Sequence, residues 1–422
     1  MTFTLGVILT ALGIGVSIML HEAGHMLTAK RFGMKVTRYF LGFGPTLWSF
    51  RRGETEYGIK ALPFGGFVKI VGMTPLEDDV EPGDEGRVFW RQSVPKRTLV
   101  LSAGSLTHFG IAIVLIYVAA VWTGLPNPVL QHPERLPAVI GTISPCVITK
   151  YETKPSGELR DCKPGDPVAP AKTAGFRPGD RITAVAGTST STWEAVVRLV
   201  RKATTGPVAI TYLRAGRTHT VNVTPAVTQR PPLTASANST KRQSVGTLGI
   251  AEREPPATVT YGPVAAVGRT GSTVGQFVTG TFAALARFPQ KVPAVFRALA
   301  GDKRDASGPI SVVGASRLGG EAVASKRPGA TSGMLGILAS LNFFIGVFNL
   351  FPLLPLDGGH IAVVWFERVR SWWAARRGRP DPGRVDYNRL LPITYAFVVI
   401  FGGISLLTIA ADVINPIANP FQ

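Results

Sequence analysis

His21-Glu22-Ala23-Gly24-His25 follows twenty residues without a charged side chain. On a helix, His-Glu-x-x-His sets two imidazoles one turn apart on one face, within reach of a single metal ion. Glu22 then stands beside the first imidazole as a general base toward water that the ion activates. Ionisable side chains inside an apolar stretch of membrane length are costly and are kept there for function. These residues point to hydrolysis at a metal centre within a bilayer. Two imidazoles leave a catalytic zinc site incomplete, because such sites take three protein ligands and keep one position open. The candidate third ligand is Asp357, in Asn349-Leu-Phe-Pro-Leu-Leu-Pro-Leu-Asp357-Gly-Gly. Pro352 and Pro355 interrupt a helix there, and the two glycines admit close backbone approach. Irregular backbone at membrane depth is tolerated where it lines a cavity, which a hydrolytic site requires. The competing reading of Asp357, a helix-terminal cap at the interface, leaves its pairing with His21 and His25 a coincidence.

The elements that must position these groups are expected to be membrane helices. The 422 residues are 45% hydrophobic despite 33 Pro and 47 Gly, and mean hydropathy is +0.21. That combination fits spans alternating with polar domains. Four stretches are long and apolar enough to cross: 3–29, 99–122, 334–356 and 392–414. The loop 30–97 holds 12 Lys+Arg against 8 Asp+Glu, and the loop 366–391 holds 7 against 3. The positive-inside rule places both loops in the cytoplasm, with both termini and the long middle segment outside. The first span has no basic residue ahead of its apolar run and contains the metal motif, so it is expected to be retained rather than cleaved as a signal peptide. Residues 270–286 form a further uncharged, partly apolar stretch. His21 falls near the cytoplasmic end of the first span, and Asp357 is expected to end the third. The two share a leaflet only if an odd number of crossings separates them, so 270–286 is read as an amphipathic stretch on the outer surface. The net charge of +19 excludes little by itself. The basic residues are dispersed and no nucleic-acid-binding motif accompanies them, so the expected counterpart is the anionic headgroup layer of the lipid bilayer rather than nucleic acid.

The middle of the chain reads as a small α+β domain over 137–226. A strand near 138–144, the turn Ala174-Gly-Phe-Arg-Pro-Gly-Asp180, a strand at 181–185, an amphipathic helix at 193–201 and a strand at 208–213 follow one another. This order resembles a PDZ domain of the bacterial protease-associated kind, which binds an extended peptide at a sheet edge. Residues 151–170 resemble an insertion, and 230–242, rich in Pro, Ser, Thr and Ala, a linker. The expected division is thus 1–123, with the first two spans, then 137–226, then 227–333 as linker and surface region, then 334–422, with the last two spans. Cys146 and Cys162 are two free thiols or one bridge. Placement outside the membrane, where disulfides persist, favours the bridge.

The whole pattern resembles the site-2 proteases, a family of intramembrane zinc metalloproteases, and is most similar to the RseP-type bacterial enzymes and their actinobacterial members. The resemblance runs through the His-Glu-x-x-His, Gly42-Phe-Gly44, Leu62-Pro-Phe-Gly-Gly-Phe-Val-Lys69, the PDZ-like insert, Gly308-Pro-Ile-Ser-Val-Val-Gly314 and Asn-x-x-Pro-x-x-x-Leu-Asp-Gly. It implies a polytopic α-helical membrane protein with four transmembrane helices, an inserted extracytoplasmic PDZ-like α+β domain and a location in the plasma membrane. It further implies a zinc ion held by His21, His25 and Asp357, with Glu22 as general base. Asn349 would lie beside the scissile peptide, and Gly65, Gly66 and Phe67 would belong to a re-entrant β-loop that holds substrate as an extended strand. The implied substrates are single-span membrane proteins, anti-sigma factors among them, already shortened by an upstream site-1 protease. The PDZ-like domain would act as a size filter or as a reader of the new carboxyl end. One departure stands out. The family's usual Ala-Gly-Pro-x-x-Asn reads Ala103-Gly104-Ser105-Leu106-Thr107-His108 here. His108 is expected to be a hydrogen-bonded helix-packing residue rather than a further ligand, and its presence puts substrate choice and pH profile in question. The alternative to an active enzyme is a silent membrane adaptor presenting the PDZ-like domain; an intact Glu22 beside all three ligands argues against it.

Overall fold

Thr2–Arg31 contains no proline and no charge before Glu22, so nothing interrupts its hydrogen-bond ladder and it forms one helix, α1. Strands β1 (Val36–Arg52) and β2 (Thr55–Ile70) follow, then α2 (Val94–Val118), which a π turn extends to Thr123. The middle of the chain supplies β3 (Leu125–Pro126), β4 (Ile140–Ile143), α3 (Pro170–Thr173), β5 (Arg181–Val185), β6 (Thr188–Ser189), α4 (Trp193–Lys202) and β7 (Val208–Arg214). It continues with β8 (Arg217–Val223), β9 (Ala226–Arg230), β10 (Gln243–Thr247), β11 (Ile250–Glu252) and β12 (Thr258–Val259). The last part is helical: α5 (Pro263–Leu299), α6 (Val312–Ala324), α7 (Ala330–Asn349), α8 (Asp357–Arg376) and α9 (Leu391–Ile414). The structure is a computed structural model that describes residues 2–73, 80–153, 159–233, 241–305, 307–325 and 329–419. Part of the expected insertion (154–158) and most of the expected linker (234–240) lie outside the described residues. The chain divides into two units, Met1–Leu125 with Thr258–Gln422, and Pro126–Ala257.

In the first unit, four helices are long and apolar enough to cross a membrane: Thr2–Arg31, Val94–Thr123, Thr331–Asn349 and Tyr387–Ile414. The third departs from expectation. The interruption expected at Pro352 and Pro355 is present, but the apolar stretch expected to run to residue 356 ends as a helix at Asn349, and Asp357 opens a new helix, α8, rather than ending the third. Pro352 and Pro355 lack the amide hydrogens a continuing helix would use, so 350–356 leaves the helical path. Asp357 thereby sits in a first helical turn, where unpaired backbone N–H groups favour a carboxylate. Residues 270–286 fall inside α5, a helix of 37 residues that continues through Pro289 and Pro293.

The β1–β2 hairpin is bent back on itself. Residues 36–41 pair with 66–70 on one side and residues 38–41 with 56–59 on the other, while 46–52 pair with 55–60. Two long strands therefore make four short ones. The bends fall at glycines in the left-handed region, Gly42 (φ 87°), Gly44 (φ 83°) and Gly65 (φ 98°), where a side chain would be strained. Met26, Ala29, Met34, Val36, Ile70, Phe89, Val100, Leu101 and Val364 form one buried cluster that joins the end of α1 to the hairpin, α2 and α8. At the far end of the unit Arg304 donates to Asp412 of α9 at 2.9 Å, both side chains being almost wholly buried. The other oxygen of Asp412 accepts from the Ser311 amide at 2.7 Å, at the start of α6.

The second unit is built on an antiparallel sheet of order β6-β5-β7-β8. β4 pairs with β11 and β9 with β10. Trp193, Val196 and Val200 recur at helical spacing and lay the apolar face of α4 on Ile182, Val185 and Ile210 of the sheet. Asp180, buried in the Pro-Gly-Asp turn, accepts from Arg214 at 2.6 and 2.7 Å and from the Arg177 amide at 2.7 Å. Burial alone would raise its pKa, but these donors prevail and hold it below the usual carboxylate value. Cys146 and Cys162 are joined by a disulfide, with their Cα atoms 5.9 Å apart.

Candidate active site

α1 carries His21 and His25 one turn apart, and the break after α7 brings Asp357 to them. His21 Nε2 lies 3.2 Å from His25 Nε2. Asp357 Oδ2 lies 3.5 Å from the first nitrogen and 3.4 Å from the second. A tetrahedral zinc with bonds of about 2.0–2.1 Å has ligand atoms about 3.3 Å apart along each edge. The three distances form a nearly equilateral triangle of that size. The same Asp357 oxygen is buried and receives no hydrogen bond from any described residue, as befits an atom facing a cation. The donor set therefore fits zinc.

The supporting contacts follow from the α1–α2 crossing. His25 Nδ1–H donates to the Val100 carbonyl at 2.8 Å, which leaves Nε2 unprotonated and turned toward the other two donors. Small residues let the helices meet. A Cβ on Gly24 would lie 2.7 Å from the Ala103 carbonyl oxygen, and one on Gly104 would lie 2.4 Å from both His21 Cε1 and His25 Nε2. Residues 66–70 pass over α1 on the other side. A Cβ on Gly66 would sit 3.1 Å from Glu22 Cγ and 3.6 Å from Ile18 Cγ2, and the Val68 amide faces the Glu22 carboxylate. Tyr39 ties the hairpin to α1 by donating to the Met19 carbonyl at 2.7 Å. The Phe67 ring stacks on Phe40 at 5.6 Å and on Phe43 at 6.1 Å.

Of the residues singled out from sequence, His21, His25 and Asp357 converge, and Gly66 lies against Glu22. Gly65 forms the bend just ahead of it, and Asn349 is the half-buried last residue of α7. His108 is buried and donates through Nδ1 to Asn342 Oδ1 at 2.8 Å, with its ring centroid 4.9 Å from that of His21. It is a packing partner of a ligand candidate and lies outside the metal-competent trio. Gly104 stands in a motif the sequence resembles, but its packing against the two imidazoles, like the contact of the Val100 carbonyl, was not recognisable from sequence. What a helical glycine or a backbone oxygen packs against is fixed only once the helix crossing is known.

The sequence profile of peptidase family M50 matches residues 9–380, and the chain belongs to that family, the site-2 proteases. The chain is 43% identical over 419 residues to the zinc metalloprotease Rip1 of Mycobacterium tuberculosis, covering 99% of each. It is 42% identical over 426 residues to Rip1 of Mycolicibacterium smegmatis, again covering 99% of each. The protein is thus a zinc metalloprotease and a multi-pass membrane protein.

Proposed function

We propose that this enzyme hydrolyses peptide bonds within the transmembrane segments of other membrane proteins, using His21, His25 and Asp357 as zinc ligands and Glu22 as general base. The observation that carries this reading is the meeting of the three donors, from opposite ends of the chain, beside the β1–β2 hairpin. Residues 66–68 pair with 39–41, and Gly66 lies against Glu22. A helical substrate hides its carbonyls in its own ladder and must be extended before water can attack. A strand beside the site would hold such a peptide by strand addition. Gly66 keeps that strand close to Glu22, Phe67 and Gly65 shape it, and Asn349 supplies a polar contact to the peptide. Held by His21, His25 and Asp357, zinc would supply Lewis acidity to the scissile carbonyl and to water. Glu22 takes the proton from the attacking water and passes it to the leaving amine. The Val100 carbonyl keeps His25 in the ligating tautomer.

The excess of Lys and Arg in 30–97 and 366–391 supports a plasma-membrane orientation with both termini and the 126–257 unit outside, and the site near the cytoplasmic face. We read that unit as a PDZ-like domain that reads or filters substrates. The substrates so defined are single-span proteins, such as anti-sigma factors, already shortened by a site-1 protease, for which this enzyme makes the second cut. Glu22→Ala in the full chain is expected to retain zinc and to lose cleavage of a membrane-embedded substrate in detergent. Undiminished cleavage by that variant would remove the general base from the mechanism.

A further inference from the structure

Helix α8 leads away from the site with one side buried and the other bare. Past its first turn, the inner side carries Val364 and Glu367, which accepts from Arg97 at 3.2 Å and from the Val385 amide at 2.9 Å. The outer side carries Trp365, Phe366, Val369, Trp372 and Trp373 as a continuous stripe, each about half exposed. Their spacing of four and seven residues is that of one helical face. Arginines lie across the stripe: Arg370 over Phe366 at 5.7 Å, Arg376 over Trp372 at 4.1 Å and Arg377 over Trp373 at 4.6 Å. Such a helix is too polar to cross a bilayer, and α8 is absent from the four span-competent helices. It is also too apolar on one face to rest in water. Both its ends are tethered to spans, Thr331–Asn349 before it and Tyr387–Ile414 after it, so a helix about 30 Å long stays near the bilayer surface. Tryptophan rings favour the headgroup level, and arginines can lay their apolar stems beside the rings while the guanidinium groups meet phosphate.

We infer that α8 lies in the headgroup layer as an interfacial helix and selects acidic phospholipids there, with its tryptophans at the acyl boundary and Arg368, Arg370, Arg376 and Arg377 on the phosphates. The lipid fits better than a protein partner because α8 is joined at both ends to membrane spans and the stripe is bordered by one sign of charge. The segment 366–391 carries 7 basic residues against 3 acidic. Because α8 begins at Asp357, its seat in the headgroups also sets the depth of that carboxylate. This last step rests on the proposed role of Asp357; the lipid contact does not.

The test uses the full chain in nanodiscs of phosphatidylcholine and phosphatidylglycerol, with brominated acyl chains on one lipid or the other. Tryptophan quenching is compared with that of the variant Trp365→Phe, Trp372→Phe, Trp373→Phe, so that the difference reports α8 alone. That difference signal should be quenched by both lipids, and at least about twofold more strongly, per molecule, by brominated phosphatidylglycerol. The preference should vanish in R368Q/R370Q/R376Q/R377Q while the quenching persists. An unquenched signal means that the stripe faces water, a second copy of the chain or another protein, and overturns the inference. Equal quenching by the two lipids overturns the selection of acidic headgroups. Neither zinc content nor cleavage enters the readout, so this outcome and the failure of the proposed mechanism are separable.

Discussion

Gly104→Ala adds one carbon where α2 crosses the two imidazoles. The added Cβ would lie 2.4 Å from His21 Cε1, 2.4 Å from His25 Nε2 and 2.6 Å from His21 Nδ1. Non-bonded heavy atoms settle at about 3.5–4.0 Å, so the rings must retreat by roughly 1 Å. Metal sites hold their ligand distances to within about 0.2 Å. The same displacement strains the 2.8 Å bond from His25 to the Val100 carbonyl. Loss of a supporting contact of that kind alone weakens metal binding about 10–100-fold. Direct displacement of both imidazoles should therefore weaken zinc binding by at least about 100-fold. The backbone is not the reason for this loss, because alanine in a helix interior is favoured over glycine by about 1 kcal/mol. Gly110→Ala is the internal control. It lies in the same helix, and its Cβ would meet nothing within 4 Å. Zinc affinity is read by competition with a graded chelator, metal content by mass spectrometry and folding by thermal unfolding, all on the full chain in detergent. Gly110→Ala should bind zinc like the parent protein, and Gly104→Ala should lose zinc while staying folded. A Gly104→Ala variant that binds zinc within about threefold of the parent would refute the reasoning, because imidazoles displaced that far cannot keep their affinity.

Two further outcomes concern regions away from the site. Asp412→Asn should destabilise the helical unit by about 3–5 kcal/mol, since it leaves Arg304 buried without its counter-charge; faster hydrogen exchange at the Ser311 amide checks this. Asp180→Asn should cost the 126–257 unit about 2–3 kcal/mol at neutral pH. The pH dependence has a defined sign. The Asp180 carboxyl is held below its unfolded value, so its contribution is complete above about pH 4 and declines as pH falls through the lower folded-state value. Protection of the β5 and β7 amides, measured relative to their intrinsic exchange rate at each pH, should fall on acidification in the parent protein, and this response should be absent from Asp180→Asn.

Much of the architecture was legible because its signals are local. A run of apolar residues the length of a bilayer announces a helix wherever it folds, and all four spans were recognisable in this way. His21 and His25 share a helix, so their common face follows from helical periodicity alone. The interruption at Pro352 and Pro355 is legible in the sequence, but the boundary of the third span falls earlier than the expected residue 356, because hydropathy continues through Leu350, Phe351, Leu353 and Leu354. Pro352 and Pro355 stop the helix regardless, since their missing amides outweigh an apolar composition. Helix α8 was overlooked for the opposite reason: its arginines mask a stripe that is apolar on one face only.

Residue identity and spacing alone determined the chemical inventory of this protein: two imidazoles on one face of a membrane-length helix with a carboxylate next to the first, a distant Asp357 beside glycines and prolines, and polar loops between spans. Tertiary structure alone decided that the distant carboxylate reaches the imidazoles, that Gly104 makes room for them and that Gly66 carries a strand to Glu22. The physical reason is range. Helical periodicity acts over a few residues, whereas the distance between Asp357 and His21 depends on how α1, α2 and α8 cross, and close contact there depends on side chains too small to leave a pattern in the sequence.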